Sequence, residues 1–306
     1  MLLTVISFHW LFAGTVVGFL CSALFVLSVA LPQPRRVERT GGIWDKTTRG
    51  LRIYLRTPRL QGLLALNLSV AAAGALVIVN SVVIVRALLE RPENDVAVAL
   101  GCFGGGSMLA ALMLPRVLDR LPDRAVMLPA AGFLGAVLLA FAGLLFGGGS
   151  LSGQTAPTLA HDWTWPALLA TWTLLGAGTS AAQTPTGRLL RRSAHPDDRP
   201  ALFAAQFALS HAAWLVTYPL AGWLGAVAGI PVTVGVMGVL TFLGLALASM
   251  FWQADDPETV EHEHADLRPD HPHLHDHRGQ GRRHAHTFVI DDLHRGWPSK
   301  AAGSRA

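Results

Sequence analysis

Residues 60–85 read LQGLLALNLSVAAAGALVIVNSVVIV, a run without one acid or base in which Gln61, Asn67, Ser69, Asn80 and Ser81 are the polar side chains. At 1.5 Å per residue such a helix is about 39 Å long, more than the roughly 30 Å of hydrocarbon in a bilayer. Lipid offers no partner to an open backbone, so the run is stable there only as a helix. Six further stretches have the same character, at about 8–31, 96–115, 126–146, 164–186, 201–226 and 231–252, and none carries Asp, Glu, Lys or Arg before its last residues. The pattern predicts an all-α integral membrane chain with seven transmembrane helices.

Composition agrees. Of 306 residues 51% are hydrophobic and 14% charged, against roughly 25% charged in a soluble domain, and the mean hydropathy is +0.41. A soluble enzyme with one core is excluded, and so is a mainly disordered chain. The first stretch lacks the basic leader of a signal peptide, beginning Met1-Leu2-Leu3-Thr4, and is too long for one. Cys21 and Cys102 both lie in apolar blocks, so they act as small hydrophobes and build neither a disulfide framework nor a thiolate cluster. The net charge of +4 does not point to nucleic acid, because the basic residues are spread over several short loops.

Those loops set the orientation. Segment 32–59 holds eight basic residues (Arg35, Arg36, Arg39, Lys46, Arg49, Arg52, Arg56, Arg59), the turn 116–124 three, segment 187–200 four and the tail after 252 seven, while Arg86 and Arg91 alone fall on the other side. Short loops rich in Lys and Arg stay in the cytoplasm. The amino terminus is therefore expected outside and the tail inside a plasma or cell inner membrane. Trp163, Trp165 and Trp252 fall at span ends, the depth their amphipathic rings prefer. The longest loop separates the first span from six others, which divides the chain into 1–31, the last helix of a preceding half; 32–59, a cytoplasmic central loop; 60–252, a six-helix half; and 253–306, a disordered cytoplasmic tail. On this reading five earlier helices are missing and the chain is the later part of a two-part molecule.

Particular residues carry a resemblance. The run Gly50-Leu51-Arg52-Ile53-Tyr54-Leu55-Arg56-Thr57-Pro58-Arg59-Leu60 resembles the central loop and seventh-helix start of major facilitator superfamily exporters. Leu118-Asp119-Arg120-Leu121-Pro122-Asp123-Arg124 is similar to the second copy of that superfamily's G-x-x-x-D-R-x-G-R-R turn. Asp119, Arg120 and Arg124 match, whereas Pro115, Pro122 and Asp123 depart from the pattern. The stretches Gln183-Thr184-Pro185-Thr186-Gly187-Arg188-Leu189-Leu190-Arg191-Arg192-Ser193 and Arg199-Pro200-Ala201-Leu202-Phe203-Ala204-Ala205-Gln206-Phe207-Ala208-Leu209-Ser210-His211, with a tail closing Phe288-Val289-Ile290-Asp291-Asp292-Leu293-His294, resemble the nickel-resistance exporters. The resemblance implies a major-facilitator-type C-terminal half plus one helix, and secondary-active, proton-coupled efflux of divalent metal, nickel first. Two alternatives stay open: export of an organic compound or metal chelate with the tail as a sensor, and a truncated fragment inactive in transport.

The tail itself speaks of metal. Nine of thirteen histidines lie between 262 and 294, and neutral imidazole is the common ligand of zinc, copper and nickel. His262, His264, His271, His273, His275, His277, His284 and His286 are the expected ligands, with His271-Pro272-His273-Leu274-His275-Asp276-His277 as the centre. The bland alternative is a solvated polar strip. A many-imidazole tail follows the general affinity order, copper ahead of nickel and zinc, so it buffers or senses rather than selects. Nickel, and with it cobalt, zinc or copper, enters as cargo or tail ligand, and no resident cofactor is required. The apolar island Phe288, Ile290 and Trp297 is a candidate for docking on the cytoplasmic face of the bundle, with chance clustering as the alternative.

At membrane depth a polar group is expensive and so a functional candidate. His211 and Gln206 lead as a metal or proton site, followed by Ser210, Asn67, Asn80 and Gln183; the competing account is packing glue between helices. Asp119, Arg120 and Arg124 would form a gate latch in the turn, or the arginines would only anchor the loop. No nucleophile–base pair, phosphate loop or carboxylate pair lies within a span, so enzyme chemistry is not expected. The expected partners are the bilayer, divalent metal and the missing helices, and not nucleic acid.

Overall fold

The computed structural model describes residues 8–29, 42–148, 163–264, 267–268, 271, 273–274 and 283–298. The chain divides into two units at Thr40 and Gly41. The first contains helix α1, Phe8–Ser28, all apolar but for His9, Thr15, Ser22 and Ser28.

The second unit begins with α2, Ile43–Arg56, in the segment read as a loop. Its Gly50, Ile53 and Tyr54 are buried, as is Thr57 beyond its end, the i, i+3, i+4, i+7 spacing of one helix face. Glycine is required at 50 because a Cβ there would overlap the Ala201 carbonyl. Thr57 is extended and Pro58 opens α3, Pro58–Val82, since proline excludes the preceding residue from the helical region and suits a first helical position. A π-helical turn, Val83–Leu88, finishes that rod.

Then follow α4, Glu93–Leu118; α5, Asp123–Gly148; α6, Thr164–Gln183; the short α7, Thr186–Arg192; α8, Arg199–Val227; and α9, Ile230–Phe251. Five of these rods, α3 with its π turn, α4, α5, α8 with the 3₁₀ turn before it, and α9, are long and apolar enough to cross a membrane. α3 is the central rod, packed on α8, α9, α5 and α6, while α4 lies along α6. The α4–α6 contact is a backbone approach: a Cβ on Gly106 would overlap the Thr173 carbonyl and one on Gly176 the Phe103 carbonyl. Small residues serve helix association in lipid in this way. One apolar cluster gathers around Leu76, Leu134 and Trp172, and a second around Tyr54, Leu66 and Trp252 at the α2 end of the bundle.

The tail corrects an expectation of disorder. Among its described residues are strands β1, Thr259–Glu263, and β2, Arg283–Thr287, paired antiparallel with His262 opposite His284. Arg283 pairs across the strands with Glu261 at 2.9 Å. A two-stranded hairpin is marginal by itself, and the bundle supplies the rest. Phe288, Val289 and Ile290 are almost fully buried, Phe288 and Ile290 within the cluster that contains Tyr54 and Trp252.

Candidate functional site

The hairpin brings imidazoles together from four places. Alternation along an extended chain puts His262 of β1 and His264 just past its end on one side, and His284 and His286 on one side of β2. His273 arrives from the segment between the strands and His294 from the turn after the buried apolar residues. Two sets of four have ligand nitrogens all within 4.8 Å of one another: His262, His273, His286 and His294; and His262, His264, His273 and His284.

The ring orientations favour the first set. Nδ1 of His262 lies 3.0 Å from the Val260 carbonyl, Nδ1 of His286 2.9 Å from the Thr287 carbonyl, and Nδ1 of His294 2.9 Å from Asp291 Oδ1. Each oxygen accepts, so each of these rings carries its proton on Nδ1 and presents the Nε2 lone pair inward. Fixing the tautomer through the second nitrogen is what outer partners do for metal-bound histidines. Nε2 of His262 and Nε2 of His294 lie 3.1 Å apart, near the spacing of two nitrogens on one tetrahedral ion. Nitrogens 2.0–2.1 Å from a tetrahedral ion are about 3.4 Å apart, so the set closes by roughly an ångström at its widest to hold one.

His264 lies against the same cluster. Its Nε2 is buried without a hydrogen-bond partner among the described residues, and burial, then the neighbouring imidazoles, push its pKa down to about 4. His271 accepts from the His273 backbone N–H at 3.2 Å and belongs to neither set of four. His275 and His277 lie outside the described residues. Of the expected ligands, His262, His264, His273, His284 and His286 fall in one or the other set, and His294, which the sequence reading left out of the ligands, joins them. The spacing Asp291-x-x-His294 was the available signal, since an aspartate three residues before a histidine can hold its Nδ1.

Asp291 joins the cluster to the bundle. Its Oδ1 also accepts the backbone N–H of His294 at 2.6 Å, and its Oδ2 lies 3.3 Å from His195 Nε2 in the α7–α8 connection. Burial alone would raise the Asp291 pKa, but the bonds from His195 and His294 outweigh it and hold the carboxyl below its usual range. The same contact, set against partial burial, raises the His195 pKa. Next door Arg49 of α2 pairs with Asp198 at 2.5 Å and with Asp292 at 2.7 Å, and Arg56 donates to the Arg295 carbonyl at 2.8 Å. The Arg59 guanidinium lies 5.2 Å from the centroid of the Trp297 ring. These contacts hem a groove of about 400 Å³ between α2 and residues 290–295.

The membrane-depth candidates do not form one site. Asn67 and Gln206 exchange amide hydrogen bonds at 3.3 Å, and the Tyr54 hydroxyl donates to the same Gln206 oxygen. Tyr54, missed in the sequence, thereby ties α2 to α3 and α8. His211 is exposed on α8, its Nδ1 2.7 Å from the Phe207 carbonyl and its ring packed between Phe207 and Trp214. Ser210 bonds the same carbonyl at 3.0 Å. Asn80 is buried and donates to the Ala221 carbonyl at 3.4 Å, and Gln183 is exposed at the end of α6.

The turn before α5 is held by a different acid from the one expected. Asp119 and Arg120 are exposed and make no ion pair among the described residues, and Arg124 donates to the Trp252 carbonyl at 3.0 Å. The buried carboxylate is Asp123, 3% exposed, which pairs with Arg188 of α7 at 2.7 Å and with Arg192 at 3.4 Å. Arg188 also donates to the Leu118 carbonyl at 2.8 Å. The reason is positional: Asp123 starts a helix and faces α7, while Asp119 ends one and faces away.

No curated protein and no solved structure matches the chain. Residues 87–289 match the family model of the Major Facilitator Superfamily, a span that runs from the end of α3 into the buried part of the tail. With its long apolar helices, the chain is a multi-pass membrane protein of the secondary-transporter kind, and it belongs to the Major Facilitator Superfamily.

Proposed function

We propose that the chain is a secondary-active, proton-coupled exporter of divalent metal, nickel foremost, with a tail that binds the same ion. α1 and α6 join the five long apolar helices to make seven spans, with the amino terminus outside and the tail in the cytoplasm, where the lysine and arginine distribution puts them. The observation that carries the reading is the set His262, His273, His286 and His294, with three of its rings oriented by Nδ1 contacts to oxygen. Four neutral nitrogens suit nickel, zinc or copper and not magnesium or calcium, which take oxygen.

Within the bundle, His211 with Ser210 on α8 and, separately, the Gln206–Asn67 amide pair are the residues for a transient cargo or proton site, and Asn80 and Gln183 lie apart from both. Asp123 with Arg188 and Arg192 takes the latch role expected of Asp119, Arg120 and Arg124.

The test is radioactive nickel retention. Cells expressing the chain should lose preloaded nickel faster than cells without it, and an organic substrate panel should show no matching effect. Equal retention would remove nickel export; organic efflux alone would favour a chelate or drug exporter.

A further inference from the structure

The order of the ligands along the chain matters as much as their geometry. His262 and His273 precede Phe288 and Ile290, which are inserted in the apolar cluster at the bundle end, and His294 follows them. A metal bound by the first set therefore closes a ring of chain around the inserted residues. The residues just beyond the insertion reach two different parts of the bundle: Asp291 meets His195 before α8, and Asp292 meets Arg49 of α2. Arg49 in turn holds Asp198 beside α8.

We propose that metal in the His262–His273–His286–His294 site is a fastener: its occupancy locks residues 259–264 and 283–297 as a strap over the end of the bundle, tying α2 to the α7–α8 connection. The inference rests on the metal-binding reading of the tail, and adds to it that binding and docking are one coupled equilibrium. Metal favours the docked strap because the undocked chain cannot bring His294 back to His262 and His273 at the same cost in chain freedom. Linkage is reciprocal, so whatever loosens the insertion must weaken the metal by the same factor. The strap thereby makes the mobility of the bundle end a function of metal concentration.

Two measurements on the full chain in detergent test this, with nickel ion alone as the probe. The first is hydrogen exchange in the unaltered protein at the Phe288 amide, which donates to the Glu258 carbonyl at 2.9 Å, and at its two successors. If opening the strap requires release of the ion, free nickel at a hundred times its Kd slows exchange there about 100-fold. The second is nickel affinity in Phe288→Ala, which alters the insertion and no ligand, compared with His294→Ala. Phe288→Ala should raise Kd about tenfold, within the usual span of coupled sites, and His294→Ala should abolish the nickel-induced protection. Nickel binding that leaves exchange at 288–290 unchanged, with Phe288→Ala within twofold of the unaltered protein, would overturn the fastener and leave the metal site standing. Absence of nickel binding in the unaltered chain would overturn both.

Discussion

Asp123 and Asp119 are four residues apart in one turn, and their replacement by Asn should have unequal effects. Asp123 is 3% exposed and holds two arginines of α7; Asp119 is exposed without an ion pair among the described residues. Removing one partner of a fully buried pair costs about 3–5 kcal/mol. Here that figure is too large, because the Arg188 side chain is 41% exposed and can regain water, and Arg192 keeps Asp256 at 2.5 Å. Loss of charge-assisted hydrogen bonds, about 1.5–3 kcal/mol, is the better guide. Asp119→Asn, a surface change, should stay within about 0.5 kcal/mol. Thermal unfolding of the full chain in detergent, followed by the fluorescence of buried Trp172 and Trp252, should show a midpoint several degrees lower for Asp123→Asn and unchanged for Asp119→Asn. Equal midpoints for the two variants, or the larger loss at Asp119, would refute the assignment of the turn's anchor to Asp123.

Other outcomes follow from the same contacts. Gly106→Ala or Gly176→Ala forces the α4 and α6 backbones apart and should cost about 1–3 kcal/mol, read as reduced yield of folded protein in detergent; unaltered yield and midpoint would contradict the close approach. Asp291→Asn withdraws the carboxylate that orients His294 and should weaken nickel binding about 10–100-fold by titration calorimetry. In the metal-free chain, His264 has a pKa near 4 in the fold against 6.5 for a free imidazole, so its contribution to the hairpin is complete above about pH 6.5 and lost as the pH falls toward 4. Exchange at the β1 and β2 amides should accordingly speed up between pH 6.5 and 4, and His264→Gln should flatten that dependence. Gln206→Leu breaks both the Asn67 amide pair and the Tyr54 contact and leaves Asn67 buried without its partner; a loss of about 1–3 kcal/mol is expected, measured by the same fluorescence midpoint.

The long helices were legible because one term dominates them. A stretch such as 60–85 has a single stable form in lipid, and helices α3 to α6, α8 and α9 fall where the apolar stretches do, within a few residues. Segment 43–56 was harder, because its charges suggested a loop while its spacing Gly50, Ile53, Tyr54 wrote a helix face that only burial against α8 makes meaningful. The tail shows the limit most clearly. Histidine content points to metal ligands, but which histidines meet depends on strand register, and the contacts that hold the register lie away from the alternating run at 271–277: the diagonal ion pair of Arg283, which sits opposite Glu263, with Glu261, and the burial of Phe288 and Ile290 in the apolar cluster at the bundle end. Local sequence gives ligand type, and long-range apolar burial decides ligand choice. That is why His294, set apart from the other histidines, enters the cluster, and why nickel affinity at the proposed site should depend on Phe288, which is not a ligand.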